Sequence, residues 1–235
     1  MSDTRPVIVI LDPSVAVTGA FIAARHTAQL TNDAVRMLLV LPEGCRIPPE
    51  QLRDFWRVES IPLPRLSKHI PTLLCYLPLL LVSALRLKKI IRTHGATRLQ
   101  LNDFYLAQGA VLRLLGYRGI IVSWVRCDPA QFAGSLAKPL LWLMRASANR
   151  VIAVSHFVRM LLPATITAEL LYDAYHGPVR TPCAWTAMQE KPLVYIGNYI
   201  AGKGQDMALE AFAIAAADDK TITLHFYGGD MGLPK

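Results

Sequence analysis

Residues 192–228 read PLVYIGNYIAGKGQDMALEAFAIAAADDKTITLHFYG. An apolar run, a loop of glycine and lysine, a helical stretch and a second apolar run make one βαβ unit. Parallel strands joined this way need cover on both faces, and a single unit cannot supply it or close both edges of its strand pair. Seven residues follow Gly228, so further chain or a partner is expected to complete this second sheet.

The same alternation occupies everything upstream. Val7–Leu11 is a β-rich run stopped by Asp12-Pro13, and Thr18-Gly19 opens a stretch of helical spacing that closes near Thr31-Asn32-Asp33. Val35–Leu41 is a second buried strand, Gln51–Arg57 a short polar helix and Val58–Leu63 a third strand. A long helix over 70–94 ends at Gly95. Arg98–Leu101, Gly119–Val125, Arg150–Ser155 and Glu169–Tyr172 supply further strands. Asp103–Leu115, Pro139–Ala148 and Phe157–Leu162 read as helices between them. Strands alternating with helices argue a parallel sheet with helices on both faces. From His176 through Pro192 three prolines and no periodicity mark a linker.

Hydrophobic residues are 53% and charged residues 18% of the chain, which supports a large core and excludes disorder. The net charge of +8 is uneven. Residues 1–187 hold 21 basic against 11 acidic residues, or +10; residues 188–235 hold 4 against 6, or −2. A basic first lobe suits an anionic partner such as a lipid surface or a phosphorylated substrate. Nucleic acid is not expected, because no recognition motif or dense Arg/Lys cluster accompanies the charge. Cys45, Cys75, Cys127 and Cys183 lack CxxC spacing and read as buried thiols, and no metal site is expected. The N-terminus lacks the apolar core of a signal peptide, which points to the cytoplasm. Ile70–Leu87 is apolar nearly all round and is followed by Lys88, Lys89 and Arg92. It is shorter than the ~20 apolar residues of a span. It fits either a buried crossover helix or a helix lying in an anionic bilayer interface.

Ligands of open α/β sheets bind beyond the carboxyl ends of the strands. After the first strand, Gly19 lets backbone approach a ligand at a helix start, although a plain turn fits equally. After the fifth, Arg126 could hold a phosphate and Asp128 could act as general base, or the two could form a surface ion pair. Ser155-His156 fits a helix cap. In the second unit Gly197 ends a strand, and Gly202-Lys203-Gly204 places a cation between two glycines ahead of a helix. That combination suits a diphosphate, and the Walker spacing is absent.

GNYIAGKGQDMALEAF resembles the opening of the C-terminal domain of GT-B glycosyltransferases, especially the retaining family 4. VIAVSHFVRMLL resembles the last strand and helix of that family's N-terminal domain, and LLYDAYHGPV the segment leading to its linker. The resemblance implies a nucleotide-sugar donor, no metal or other cofactor, and a diphosphate held by Lys203 with help from Gly19, Gly197, Asn198 and Gly204. Asn198 stands where the family carries an arginine, and Arg126 or Asp128 occupies the loop where a histidine is common. The family's Glu-x7-Glu donor motif falls beyond residue 235.

The expected architecture is therefore α/β of GT-B type. It comprises a Rossmann-like acceptor-side domain at 1–180, a linker at 181–191, and the first βαβ unit of a second Rossmann-like, donor-side domain at 192–235. The expected activity is hexosyl transfer to a glycan or lipid-linked acceptor in bacterial-type surface polysaccharide synthesis, at the inner face of a membrane. The 235 residues alone are expected to turn over little. Two rival readings are a non-catalytic membrane-surface subunit that completes a split glycosyltransferase, and a nucleotide-dependent oxidoreductase. The missing GxGxxG argues against the second.

Overall fold

The computed structural model describes residues 3–64, 70–178, 192–199 and 202–229, with side chains from residue 75 onward in the second of these segments. The chain divides into two units, residues 1–177 and 178–235. The expected linker at 181–191 lies outside the described residues.

In the first unit, β1 (Val7–Leu11), α1 (Gly19–Thr31), β2 (Arg36–Pro42), α2 (Pro49–Leu52) and β3 (Arg57–Ile61) come first. Then follow α3 (Ile70–Thr93), β4 (Arg98–Leu101), α4 (Gln108–Leu114), β5 (Ile120–Val125) and α5 (Pro129–Ala133). A 3-10 turn at Gly134–Leu136 leads to α6 (Ala137–Ser147), β6 (Arg150–Ala153), α7 (His156–Met160) and β7 (Glu169–Leu170). The strands form one seven-stranded sheet in the order β3-β2-β1-β4-β5-β6-β7, every pair parallel. The strand order reverses between β1 and β4, so the loops leaving these two strands diverge and open a crevice there.

Period-two alternation fills both faces of the sheet. Val9 and Leu11 of β1 join Leu38 and Val40 of β2 on one side, packed with Leu87 and Ile91 of α3 and Leu112 of α4. Ile10, Leu39 and Leu41 point the other way, against Phe21, Ala24 and Ala28 of α1. A third cluster joins Val125 and Ala153 to Leu140, Leu141 and Met144 of α6. α1 begins where Thr18 accepts a hydrogen bond from the Phe21 N–H at 3.2 Å, and Ser155 caps α7 through the Val158 N–H at 3.1 Å.

The helix expected from Asp103 starts five residues later, at Gln108. Asp103 bonds locally instead: its carboxylate accepts from the Phe104 N–H at 2.8 Å, and the Ala107 N–H donates to the Tyr105 carbonyl. Such side chains compete with the helix for backbone partners. The thiols also differ from expectation. Cys75 is exposed, and Cys45 and Cys127 are half-buried; Cys183 lies outside the described residues.

The second unit holds β8 (Pro192–Ile196), α8 (Gln205–Asp218) and β9 (Thr223–Tyr227), with β8 and β9 parallel. β8 was expected to be buried. Leu193, Val194 and Ile196 are exposed, and α8 buries no residue. A strand pair carrying one helix leaves most of its apolar surface in water.

Candidate functional site

The loops after β1 and β4 converge on a buried polar chain. Asp12, fully buried at the end of β1, accepts from the Ser14 N–H at 2.8 Å and from the side-chain amide of Asn102. The Asn102 carbonyl oxygen accepts from Arg126 Nε at 3.1 Å and Nη2 at 2.9 Å. Arg126 Nη1 pairs with Asp173, and its guanidinium lies over the Trp124 ring, 4.7 Å from the centroid. A buried carboxylate is tolerable only with such partners; here the amide of Asn102 relays between an anion and a cation.

Asp103, beside this chain, has its carboxyl pushed up to about 7. Burial is the main cause, opposed by the N–H groups of Phe104 and Arg126 and by the Arg126 charge, and reinforced by Asp12. Burial also raises Tyr105 well above the ordinary phenol range, and pushes the Cys127 thiol up to about 12.

Next to these groups a cavity of about 280 Å³ opens at the carboxyl end of the sheet. Pro13 and Val15 follow β1, Leu63 and Pro64 follow β3, and Tyr105, Leu106 and Gln108 follow β4. Tyr76 of α3 and Phe132 of α5 complete the wall, and the rings of Tyr105 and Phe132 stack at 4.5 Å. No charged side chain among the described residues lines it. Gln108 is buried; its Nε2 donates to Ser83 at 3.1 Å, and its Oε1, itself shut off from solvent, has no hydrogen-bond partner among the described residues.

The residues singled out in the sequence are placed as follows. Gly19 is the first residue of α1, and a Cβ there would meet nothing within 4 Å. Arg126 is engaged by Asn102 and Asp173 and is largely buried. Asp128 caps α5, its Oδ1 accepting from the Ala130 and Gln131 N–H groups at 2.8 and 3.3 Å. Gly197 ends β8, and Asn198 follows it, half-buried. Lys203 is exposed, with no ion pair among the described residues, and its carbonyl accepts from the Tyr195 hydroxyl at 3.1 Å. Gly202 and Gly204 have φ of +84° and +78°, a left-handed backbone that a side chain would strain. The two glycines therefore also meet a conformational demand of the turn. Asp12, Asn102, Asp103 and Gln108 escaped the sequence reading. For Asn102 and Asp103 the signal is a polar pair directly after an apolar strand; Asp12 reads only as part of a strand stop and Gln108 as a helix residue. Among the described residues no group of three or more His, Cys, Asp or Glu could hold a metal.

No family model matches the chain, and no curated protein matches it. Solved structures do. HepE from Anabaena, in complex with UDP and glucose, superposes with a TM-score of 0.66 at 17% identity, over 94% of this chain and 61% of that one. The lipopolysaccharide outer core galactosyltransferase WaaB gives 0.62 at 9% identity, over 95% and 68%. Sucrose-phosphate synthase from Thermosynechococcus elongatus gives 0.58 at 13%, over 97% and 72%. The chain thus spans 61% of the length of that HepE chain. At these identities the likeness is one of fold, and the fold is Rossmann-like α/β of GT-B type.

Proposed function

We propose that this chain serves the transfer of a sugar from a nucleotide sugar to an acceptor hydroxyl. The observation that carries the reading is Lys203: an exposed ammonium with no ion pair among the described residues, held between two left-handed glycines at the start of a helix of 14 residues. Cation, helix N-terminus and helix dipole together suit a diphosphate. The fold supports this reading, since HepE was solved with UDP and with UDP-glucose. In our reading Gly197, Asn198 and Gly204 line the same anion site, and Gly19 lets a ligand approach α1.

The chemistry follows. The acceptor oxygen bonds to the anomeric carbon while the bond from that carbon to the diphosphate breaks. The electron pair leaves on the nucleoside diphosphate, whose charge Lys203 offsets. The acceptor enters on the face from which the diphosphate departs, and its proton passes to the departing phosphate oxygen, so configuration is retained. We assign Asp128, whose Oδ2 has no partner among the described residues, to holding an acceptor hydroxyl, and Arg126 to shaping the loop that carries it. Retention of configuration, membership of family 4 and independence of metals are the finer form of the proposal, as are a cytoplasmic location and a role in surface polysaccharide synthesis. The uncharged cavity beside Tyr105 favours an acceptor with an apolar portion, such as a lipid-linked glycan.

Calorimetric titration with UDP- and GDP-sugars, on this chain and on a version extended by the rest of a donor domain, tests the donor claim. Binding by the extended form, weakened roughly 10- to 100-fold by Lys203→Ala, is expected. No heat with any donor rejects it. The exposed β8–β9 pair favours a second reading, a subunit that completes a split enzyme; a co-purifying chain that restores transfer would select it.

A further inference from the structure

α3 breaks the usual rule for a surface helix, in which the solvent side is polar. Its inward side is Leu80, Ala84, Leu87 and Ile91, all buried, with Leu87 and Ile91 packed in the core beneath the sheet. At 100° per residue Leu81, Val82 and Leu85 fall on the outward half-turn and Leu77 flanks the inward side near the N-terminal end; the four are 42–70% exposed. The same half-turn then changes character. Arg86, Lys89 and Arg92 continue it toward the C-terminus with Lys88 on the flank, and the helix contains no acidic residue. Arg86 pairs with Glu43 at 2.7 Å, and Lys88 donates to the Leu115 carbonyl at 2.6 Å. Lys89 and Arg92 have no ion pair among the described residues. One face is thus apolar over its first half and cationic over its second, and no helix among the described residues is long and apolar enough to cross a membrane.

We infer that this face of α3 docks the first unit on an anionic lipid bilayer, with Leu77, Leu81, Val82 and Leu85 entering the acyl boundary and Lys89 and Arg92 meeting headgroup phosphates. The commitment to lipid rather than a second copy rests on charge: two-fold pairing of this face sets cation on cation when the helices run parallel and buries cations on apolar surface when they run antiparallel, whereas an anionic bilayer matches both halves. Tyr76, one residue before Leu77, lines the apolar cavity, so docking brings that cavity beside the lipid. The relevance to an acceptor rests on the glycosyltransferase reading; the docking itself does not.

Flotation of the 235-residue chain tests it, with vesicles of phosphatidylcholine alone and of phosphatidylcholine with phosphatidylglycerol. Flotation with the anionic vesicles, and its loss at high salt, is expected. Lys89→Gln with Arg92→Gln should weaken binding roughly fivefold per charge removed. Leu81→Glu with Leu85→Glu should weaken it roughly tenfold or more. Both are surface changes, and an unchanged circular-dichroism melt confirms the fold of each variant. No flotation, or variants that float like the parent, overturns the inference. So does a lipid-free dimer in sedimentation equilibrium that Leu81→Glu dissolves, which would assign the face to a second copy. Because vesicle binding needs no donor, failure here leaves the donor titration untouched, and the reverse holds.

Discussion

The two units contain the same kind of βαβ element and differ in what surrounds it. In the first, β1 and β2 are flanked by strands and covered by helices on both faces, and Ile10, Leu38 and Leu39 are wholly removed from water. In the second, β8 and α8 repeat that pattern with their apolar side chains exposed. Identical local signals therefore produce a core in one place and an open surface in the other. Periodicity states which side of an element is apolar; burial depends on whether another element arrives to cover it.

The sharpest break in this contrast is a pair of truncations. Leu101→Ala, in the core below β4, should cost about 2–5 kcal/mol, whereas Ile214→Ala on exposed α8 should change stability by less than about 0.5 kcal/mol. Chemical denaturation of the two variants checks this; equal losses would show that α8 is covered. Next in size, Arg126→Ala should cost about 2–4 kcal/mol, because it strips the cation from Asp173 and from the Asn102–Asp12 relay. Arg126→Lys should recover part of the loss. An exposed surface pair would show almost none of it.

Asp103→Asn sharpens the comparison through pH. The folded carboxyl titrates at about 7, above the ordinary value of 3.8, so the folded state retains a proton that the unfolded chain has lost. The contribution of Asp103 is most favourable below about pH 4, declines as pH rises toward about 7, and is flat above that. Asn keeps the acceptor for the two N–H groups and removes the charge. It should flatten this slope and raise stability at pH 8 by about 1–3 kcal/mol, as read from melts across pH. The smallest effect belongs to the second unit. Gly204→Ala forces a side chain into left-handed backbone at a cost of about 1 kcal/mol. It should appear as faster amide exchange at the start of α8, with the denaturation of the first unit unchanged.

Much of the architecture was legible because parallel strands are long apolar runs and their ends carry sharp punctuation. Asp12-Pro13 follows directly on β1, and Gly95 lies just past the end of α3, as expected. The turn ahead of α8 was legible for a similar reason: a lysine between two glycines is a local pattern, and its left-handed conformation is local too. The crevice was not. Asp12 and Asn102 are 90 residues apart and meet because β1 and β4 are neighbours at the reversal of strand order. Arg126 and Asp128 looked like a pair sharing a cleft; packing turned one toward Asn102 and Asp173 and the other into a helix cap.

Taken alone, the chain's residues determined the α/β class, the restart of the pattern after residue 191 and the glycine-flanked lysine, since each depends on neighbours within a few positions. Tertiary structure alone decided that Asp12, Asn102 and Arg126 share one network, that Tyr76, Tyr105 and Phe132 enclose a cavity, and which half of α3 faces water. Those outcomes depend on which strands lie side by side, and that choice is made by the collective burial of a sheet rather than by any single segment.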